Sequence, residues 1–341
     1  MARLNDPVST SIVLRSIPRA FDDLPLWAQL NITHRCNLDC AYCTEYDNSK
    51  DHVPFEELAR RIDHCQELGC LHVDLIGGEP LLHPDVARLM RYVTQQGMTT
   101  GMTTNAFLLT RERLEELIDA GMGKIQISVD ALNPSRQAPK SLKTLAPKIE
   151  MVARYPIWFR VNTVLCDETL DEVEEVARFC FDRGVTINFS VVHERGRLVK
   201  RNAGRFLEKV RWLKEQKRLG KPVATPYYLI HYFEEALQGR TIDWTCEGGN
   251  KCFYVSPEGH FHYCYHIPSE RRFLHVTREE LSGYRTKKGC EKECGVDCVV
   301  ETSMPYGNRA LTLYTEARER LVGLGRRLSG AVAGRQEGQR P

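Results

Sequence analysis

The sequence predicts an α/β fold built on a parallel sheet. Three observations carry this expectation. Six short β-rich runs alternate with amphipathic stretches through the first 200 residues, glycine follows most of the amphipathic stretches, and proline opens two of them. The β-rich runs are Trp27–Thr33, His72–Ile76, Thr99–Thr103, Lys124–Val129, Arg160–Leu165 and Thr186–Val191. Helical spacing falls between them at Pro54–Leu68, Pro84–Gln96, Arg111–Ala120, Leu142–Arg154 and Glu168–Arg183. Pro54 and Pro84 suit a first helical turn. Gly69, Gly97, Gly121 and Gly184 stand where a left-handed cap ends a helix. Strand–helix–strand repetition of this kind implies parallel pairing with right-handed crossovers. Units of about 25 to 30 residues suit a barrel, a partial barrel or an open doubly wound sheet, and spacing alone does not separate these.

After Val192 the pattern changes. His193–Arg205 is charged and reads as a loop, while Phe206–Leu219 and Tyr228–Leu237 read as helices. Cys246–His266 carries Pro257-Glu258-Gly259 between two β-like runs, a hairpin signature. A cysteine-dense segment, Cys290–Cys298, follows, and Ala310–Leu328 is a last amphipathic helix. The reading divides the chain into an extension at 1–24, a core at 25–200, a C-terminal extension at 201–328 and a disordered tail at 329–341. Arg318, Arg320, Arg326, Arg327, Arg335 and Arg340 read as a solvated helix end and terminus.

Composition narrows the function. Lys plus Arg is 47 and Asp plus Glu is 45, a net charge of +2, so nothing argues for nucleic acid. No apolar run approaches the ~20 residues of a membrane span, and the N-terminal stretch makes a poor signal peptide. A cytoplasmic, reducing location is expected, and there 13 cysteines point to metal or redox chemistry rather than disulfides.

Cys36-Asn-Leu-Asp-Cys40-Ala-Tyr-Cys43 follows directly on the first strand. Three thiolates within eight residues can wrap one centre, and soft sulfur ligands favour iron–sulfur clusters or zinc. Structural zinc would need a fourth ligand, for which His34 is the nearest nominee. Three ligands on a cluster of four irons would leave one iron open to bind a cofactor or substrate.

This loop resembles that of the radical SAM superfamily, Cys-x3-Cys-x-aromatic-Cys, with Tyr42 in the aromatic position. Gly77-Gly78-Glu79-Pro80 ends the second strand as the superfamily's Gly-Gly-Glu-Pro motif does. Thr104-Asn105 ends the third strand, Ser128 and Asp130 bracket the end of the fourth, and Asn162 lies on the fifth. The resemblance covers about residues 25 to 195. It implies a partial (β/α)6 TIM-like barrel with a small C-terminal cysteine-rich α+β extension. It also implies a [4Fe–4S] cluster on Cys36, Cys40 and Cys43 that reductively cleaves S-adenosylmethionine (SAM) to a 5′-deoxyadenosyl radical. A flavodoxin- or ferredoxin-type electron donor goes with that chemistry. In this reading Gly77 and Gly78 let the backbone approach SAM, with unusual φ permitted. Glu79, or its neighbouring carbonyls, accepts from the methionine ammonium. Asn105 joins the SAM pocket. Ser128 and Asp130 serve the ribose, Asn162 and Arg160 the ribose or methionine carboxylate, and Tyr42 the adenine.

Cys246, Cys252, Cys264, Cys290, Cys294 and Cys298 follow the core. Their hairpin resembles the SPASM/twitch extensions, which implies an auxiliary [4Fe–4S] cluster. Six cysteines fill one such cluster with two left over. The expected ligands are Cys246, Cys252 and Cys264 plus one of the last three; two clusters, or zinc, are the alternatives. The layout also resembles, more weakly, adenosylhopane-forming enzymes, which implies a small-molecule or lipid substrate. A peptide maturase is the second reading; only about 24 residues precede the first strand, which leaves no room for a peptide-binding winged helix. A non-enzymatic iron–sulfur protein is the third. Cys166, after the fifth strand, is a candidate hydrogen-atom donor. Cys65, Cys70 and Cys180 are expected in the core. His193, Glu194 and Arg195, and Glu45 and Tyr46, are weighed as substrate neighbours, with a solvated loop favoured for the first three.

Overall fold

The computed structural model describes residue 19 and residues 22–337 apart from 41, 42, 44, 45 and 137. Six strands form first: β1 (Trp27–Asn31), β2 (His72–Ile76), β3 (Thr99–Thr104), β4 (Met122–Ser128), β5 (Trp158–Leu165) and β6 (Thr186–Val191). They pair in parallel in sequence order. The crossover helices are α1 (Phe55–Leu68), α2 (Val86–Gln95), α3 (Arg111–Asp119), α4 (Leu142–Val152) and α5 (Val173–Asp182). Their caps follow the sequence: Gly69, Gly97, Gly121 and Gly184 all take positive φ, between 64° and 97°. The prolines sit slightly outside the helices. Pro54 is the N-cap of α1, and Pro84 precedes Asp85, the N-cap of α2.

The rest of the chain completes the sheet rather than standing apart from it. A small hairpin, β7 (His193–Glu194) and β8 (Arg197–Leu198), interrupts the segment read as a loop. Then come α6 (Ala203–Arg218), α7 (Tyr227–Leu237), β9 (Cys252–Val255), β10 (Phe261–His262), α8 (Arg278–Gly283), α9 (Asp297–Gly307) and α10 (Arg309–Glu337). Strand β9 lies parallel to β1, with Trp27 opposite Cys252 and Leu30 opposite Val255, and β10 returns antiparallel. The sheet therefore runs β10-β9-β1-β2-β3-β4-β5-β6, mostly parallel, and its two edges are not hydrogen-bonded to each other. This is a partial barrel. The free edge of β6 is covered in part by Pro222–Ala224, which bonds to both sides of Ile187, as an exposed edge requires. Helix α10 continues to Glu337, through residues the sequence reading assigned to a disordered tail. The segment after Leu328 includes Ala331, Ala333, Arg335 and Gln336, good helix formers that outweigh two glycines.

Buried charges tie the extension to the barrel. The Arg61 guanidinium on α1 is 2% exposed and donates to the carbonyls of Ser256 and Pro257 in the β9–β10 turn, each at 3.0 Å. Glu57 balances its charge at 2.9 Å. Arg61→Ala would leave the buried Pro257 carbonyl without a donor and the Ser256 carbonyl with the Gly259 N–H alone. It is expected to destabilise the fold by roughly 2–4 kcal/mol, read as a lowered urea midpoint.

Candidate active site

The strand residues facing the helices are apolar, as in Leu30, Leu75, Ile125, Ile127 and Val161, all fully buried. The alternate residues face the barrel axis and are polar. On β4 these are Lys124, Gln126 and Ser128; on β5 they are Trp158, Arg160 and Asn162. A barrel whose interior is structural fills it with branched apolar side chains. Here the interior is a cavity of about 830 Å³. Helix α9 walls the open side with Asp297, Cys298, Glu301, Thr302 and Pro305. The Trp27 indole donates to Thr302 Oγ1 at 3.0 Å and fixes that wall to β1.

The loop after β1 brings Cys36, Cys40 and Cys43 to this cavity. Its backbone is tied down before any cofactor arrives. The Cys36 N–H donates to Asn48 Oδ1 at 3.0 Å, and the Cys43 N–H to the Cys40 carbonyl at 3.0 Å. The Leu38 N–H donates to Cys36 Sγ at 3.4 Å. Burial pushes the Cys36 and Cys40 thiols up, Cys40 to about 11, while the nearby Lys140 ammonium opposes the rise. His34, the nominated zinc ligand, is engaged instead by Glu258 at 2.7 Å.

Gly77, Gly78, Asn105, Ser128, Arg160 and Asn162 line the same cavity. The glycines meet a close approach of the chain itself. Neither takes positive φ. A Cβ on Gly77 would stand 2.5 Å from the Thr33 carbonyl, and one on Gly78 would stand 2.5 Å from that of Arg35. Their bareness lets the motif pack against the chain leading into the cysteine loop. The Glu79 side chain turns inward. It is 0% exposed, absent from the cavity wall, and accepts from Leu81 N–H, Thr104 Oγ1 and Asn105 N–H at 3.0, 2.6 and 2.7 Å. The carboxylate thus fixes the end of β3. Asn105 in turn donates to Asn37 Oδ1 at 2.9 Å and stands 3.9 Å from Cys36 Sγ.

Asp130, read as a ribose partner, is buried and ion-paired at 3.0 Å with Lys140, and Lys140 takes the place on the cavity wall. Cys166 does not line the cavity; it is buried against Thr169 Oγ1 at 3.1 Å, which argues against a hydrogen-atom donor there. His193 does reach the cavity, packed edge-on against His266, whereas Glu194 and Arg195 do not. Burial holds His266 down at about 4, so it is neutral at pH 7. Cys65, Cys70 and Cys180 lie in the core as expected. Tyr42 and Glu45 fall outside the described residues, and Tyr46 is exposed. Sequence reasoning missed Lys140, Glu301 and Thr302; no periodicity or motif marks them.

The six later cysteines gather in one region around Cys264. Cys294 feels the charge of Cys246, Cys264 and Cys290, and Cys264 that of Cys246 and Cys290. Three receive a backbone N–H from a nearby residue: Cys246 from Gly248 at 3.3 Å, Cys264 from His266 and Cys294 from Val296. Cys252 neighbours Cys246 and Cys264, and Cys298 neighbours Cys252 and Cys264. Among the described residues no three His, Cys, Asp or Glu side chains converge as a single ion requires; a cluster instead takes each thiolate on a different iron.

Residues 30–180 match the family model of the radical SAM superfamily. Over that stretch the chain is similar to the radical SAM enzymes. It is 42% identical over 108 residues to the PqqA peptide cyclase of Bradyrhizobium diazoefficiens, a match spanning 31% of this chain and 28% of that protein's length. It is 26% identical over 284 residues to the AdoMet-dependent heme synthase of Methanosarcina barkeri, covering 73% and 79% of the two chains. The fold is shared with Streptococcus suis SuiB, with a TM-score of 0.61 at 14% identity over 83% of this chain and 70% of that one. Among the described residues no helix is long and apolar enough to cross a membrane.

Proposed function

We propose that this protein reductively cleaves SAM and uses the resulting radical to modify a peptide. The observation that carries the first half is the convergence of Cys36, Cys40 and Cys43 with Gly77, Gly78, Asn105, Ser128 and Asn162 on one cavity. It lies at the C-terminal ends of the strands, where barrel enzymes build their sites. The residues fit the group. The three thiols face the cavity, backbone donors are in place, and polar side chains surround the space beside them. When bound, the [4Fe–4S] cluster and SAM supply one-electron chemistry that yields a 5′-deoxyadenosyl radical. The protein's own part is to hold and shield. Asn105 and Asn37 steady the loop, Ser128 and Asn162 offer hydrogen bonds, and α9 closes the barrel wall against water.

The peptide half rests on the relative with the highest identity above, a peptide cyclase. It displaces the small-molecule or lipid substrate as the leading reading. The heme synthase relative, matched over more of the chain, supports a small molecule as the second. An auxiliary [4Fe–4S] cluster would sit among the six later thiols, with Cys264, the neighbour of all the others, as a ligand. Hydrogen bonds to cluster sulfurs are a means of tuning potential.

The test is anaerobic. Cluster-reconstituted protein, chemically reduced and given SAM, is expected to form 5′-deoxyadenosine, and to form more with a peptide substrate than with a small molecule. No 5′-deoxyadenosine under any condition would overturn the first half. Stimulation by small molecules alone would overturn the second.

A further inference from the structure

We propose that Arg160 and Glu301 form a two-pronged clamp for a peptide segment carrying both a carboxylate and a cationic group. This rests on the peptide reading above and names the chemistry of the segment bound.

Most charges on the cavity wall are already neutralised by neighbours. Lys124 pairs with Asp74 at 2.5 Å, His72 bonds the same carboxylate at 3.0 Å, and Lys140 pairs with Asp130 at 3.0 Å. Arg160 and Glu301 are different. Arg160 spends its Nε on Gln126 Oε1 at 2.6 Å and lies 5.3 Å from the Trp158 ring centre. Its two terminal nitrogens have no hydrogen-bond partner among the described residues. Glu301 stands on α9, the wall supplied by the extension. Its backbone carbonyl accepts from Tyr228 at 3.0 Å, while its carboxylate makes no hydrogen bond or ion pair among the described residues. The two side chains feel each other's charge without forming an ion pair.

A guanidinium fork and a carboxylate, both open to one enclosed space, are costly unless something enters to pair with them. Arg160 suits a carboxylate bidentately, and Glu301 suits an ammonium or guanidinium. Burial pushes the Glu301 carboxyl up and Arg160 opposes that; an incoming cation would oppose it further. Depth separates this pair from the SAM region. Arg160 precedes Asn162 by two residues on one strand, so it lies about 7 Å farther from the cysteine loop. Arg160 is thereby reassigned from the cofactor to the substrate.

The test titrates cluster-reconstituted holoprotein, with SAM present, against four capped pentapeptides of one length. One carries a glutamate and a lysine. In the others glutamine replaces the glutamate, methionine replaces the lysine, or both. Wild type is expected to bind the first about tenfold more tightly than the last. In Arg160→Gln the glutamate-to-glutamine exchange should lose its effect while the lysine-to-methionine exchange keeps it. In Glu301→Gln the reverse should hold, and Arg160→Lys should restore part of the glutamate preference. Equal binding of all four by wild type, or no binding of any, overturns the clamp. So does a variant that loses all four peptides by one factor, or that weakens SAM binding instead. Formation of 5′-deoxyadenosine without peptide is followed in parallel. Its absence in wild type would count against the proposed reaction, not against the clamp.

Discussion

Replacing Cys36, Cys40 and Cys43 together by alanine is expected to abolish 5′-deoxyadenosine formation while leaving about half of the iron in place, since each four-iron cluster holds its own thiolates. The reasoning is local. All three thiols face one cavity, and the loop that carries them is pinned by Asn48, by the Cys40 carbonyl and by the packing of Gly77 and Gly78 against its entry. Removing three small side chains on this loop leaves those backbone bonds intact, so the fold should survive and the melting temperature should move little. The remaining iron would belong to the later cysteines. There, Cys264→Ala is expected to empty the site, because Cys264 neighbours all five other thiols. Iron and sulfide quantitation separates the outcomes. A triple variant without iron would remove the auxiliary cluster, and one that still makes 5′-deoxyadenosine would remove the loop assignment.

Much of the barrel was legible because its signals are local. Strands β2 and β6 coincide with the expected runs residue for residue, and all four glycine caps took the left-handed conformation. The convergence of the cysteine loop was legible for the same reason, since its three cysteines lie close together in sequence and line one cavity. What the sequence hid depends on distance across the fold. Helix α9 gave no apolar stripe and carries Pro305 within it, so only its cysteine was noticed. Yet its Glu301 and Thr302 face the barrel because β9 pairs with β1 and swings the extension across the open side. Lys140 lies in a loop without periodicity and reaches the cavity only through its pairing with Asp130. The Gly-Gly-Glu-Pro run marked a close approach, and the chain before Cys36 is one partner in it, which no spacing rule reports.

Glu79→Ala is expected to destabilise the protein by about 3 kcal/mol or more and to weaken SAM binding with it. The carboxylate sits at 0% exposure and collects three donors, Leu81 N–H, Thr104 Oγ1 and Asn105 N–H. Each donor left alone in the interior costs about 1–3 kcal/mol. Alanine abandons all three and opens a cavity as well. Burial pushes the Glu79 carboxyl up while the three hydrogen bonds oppose that, so much of its ionic character depends on keeping them. Glu79→Gln should lose less. Its amide oxygen can still accept from Leu81 and Thr104, but its NH2 group would then meet the Asn105 N–H, donor against donor. The damage should spread by a short path. Asn105 is held by Glu79 through its backbone, and its side chain steadies Asn37 beside Cys36. Loss of Glu79 therefore loosens the cysteine loop without touching a cysteine. Thermal melts and SAM titrations of both variants decide between two roles. Stability and SAM affinity falling together, with glutamine between alanine and wild type, identifies a positioning residue. Lost SAM binding at unchanged stability would mean that the carboxylate meets the cofactor directly, and that it turns out of the hydrogen bonds described here when SAM binds.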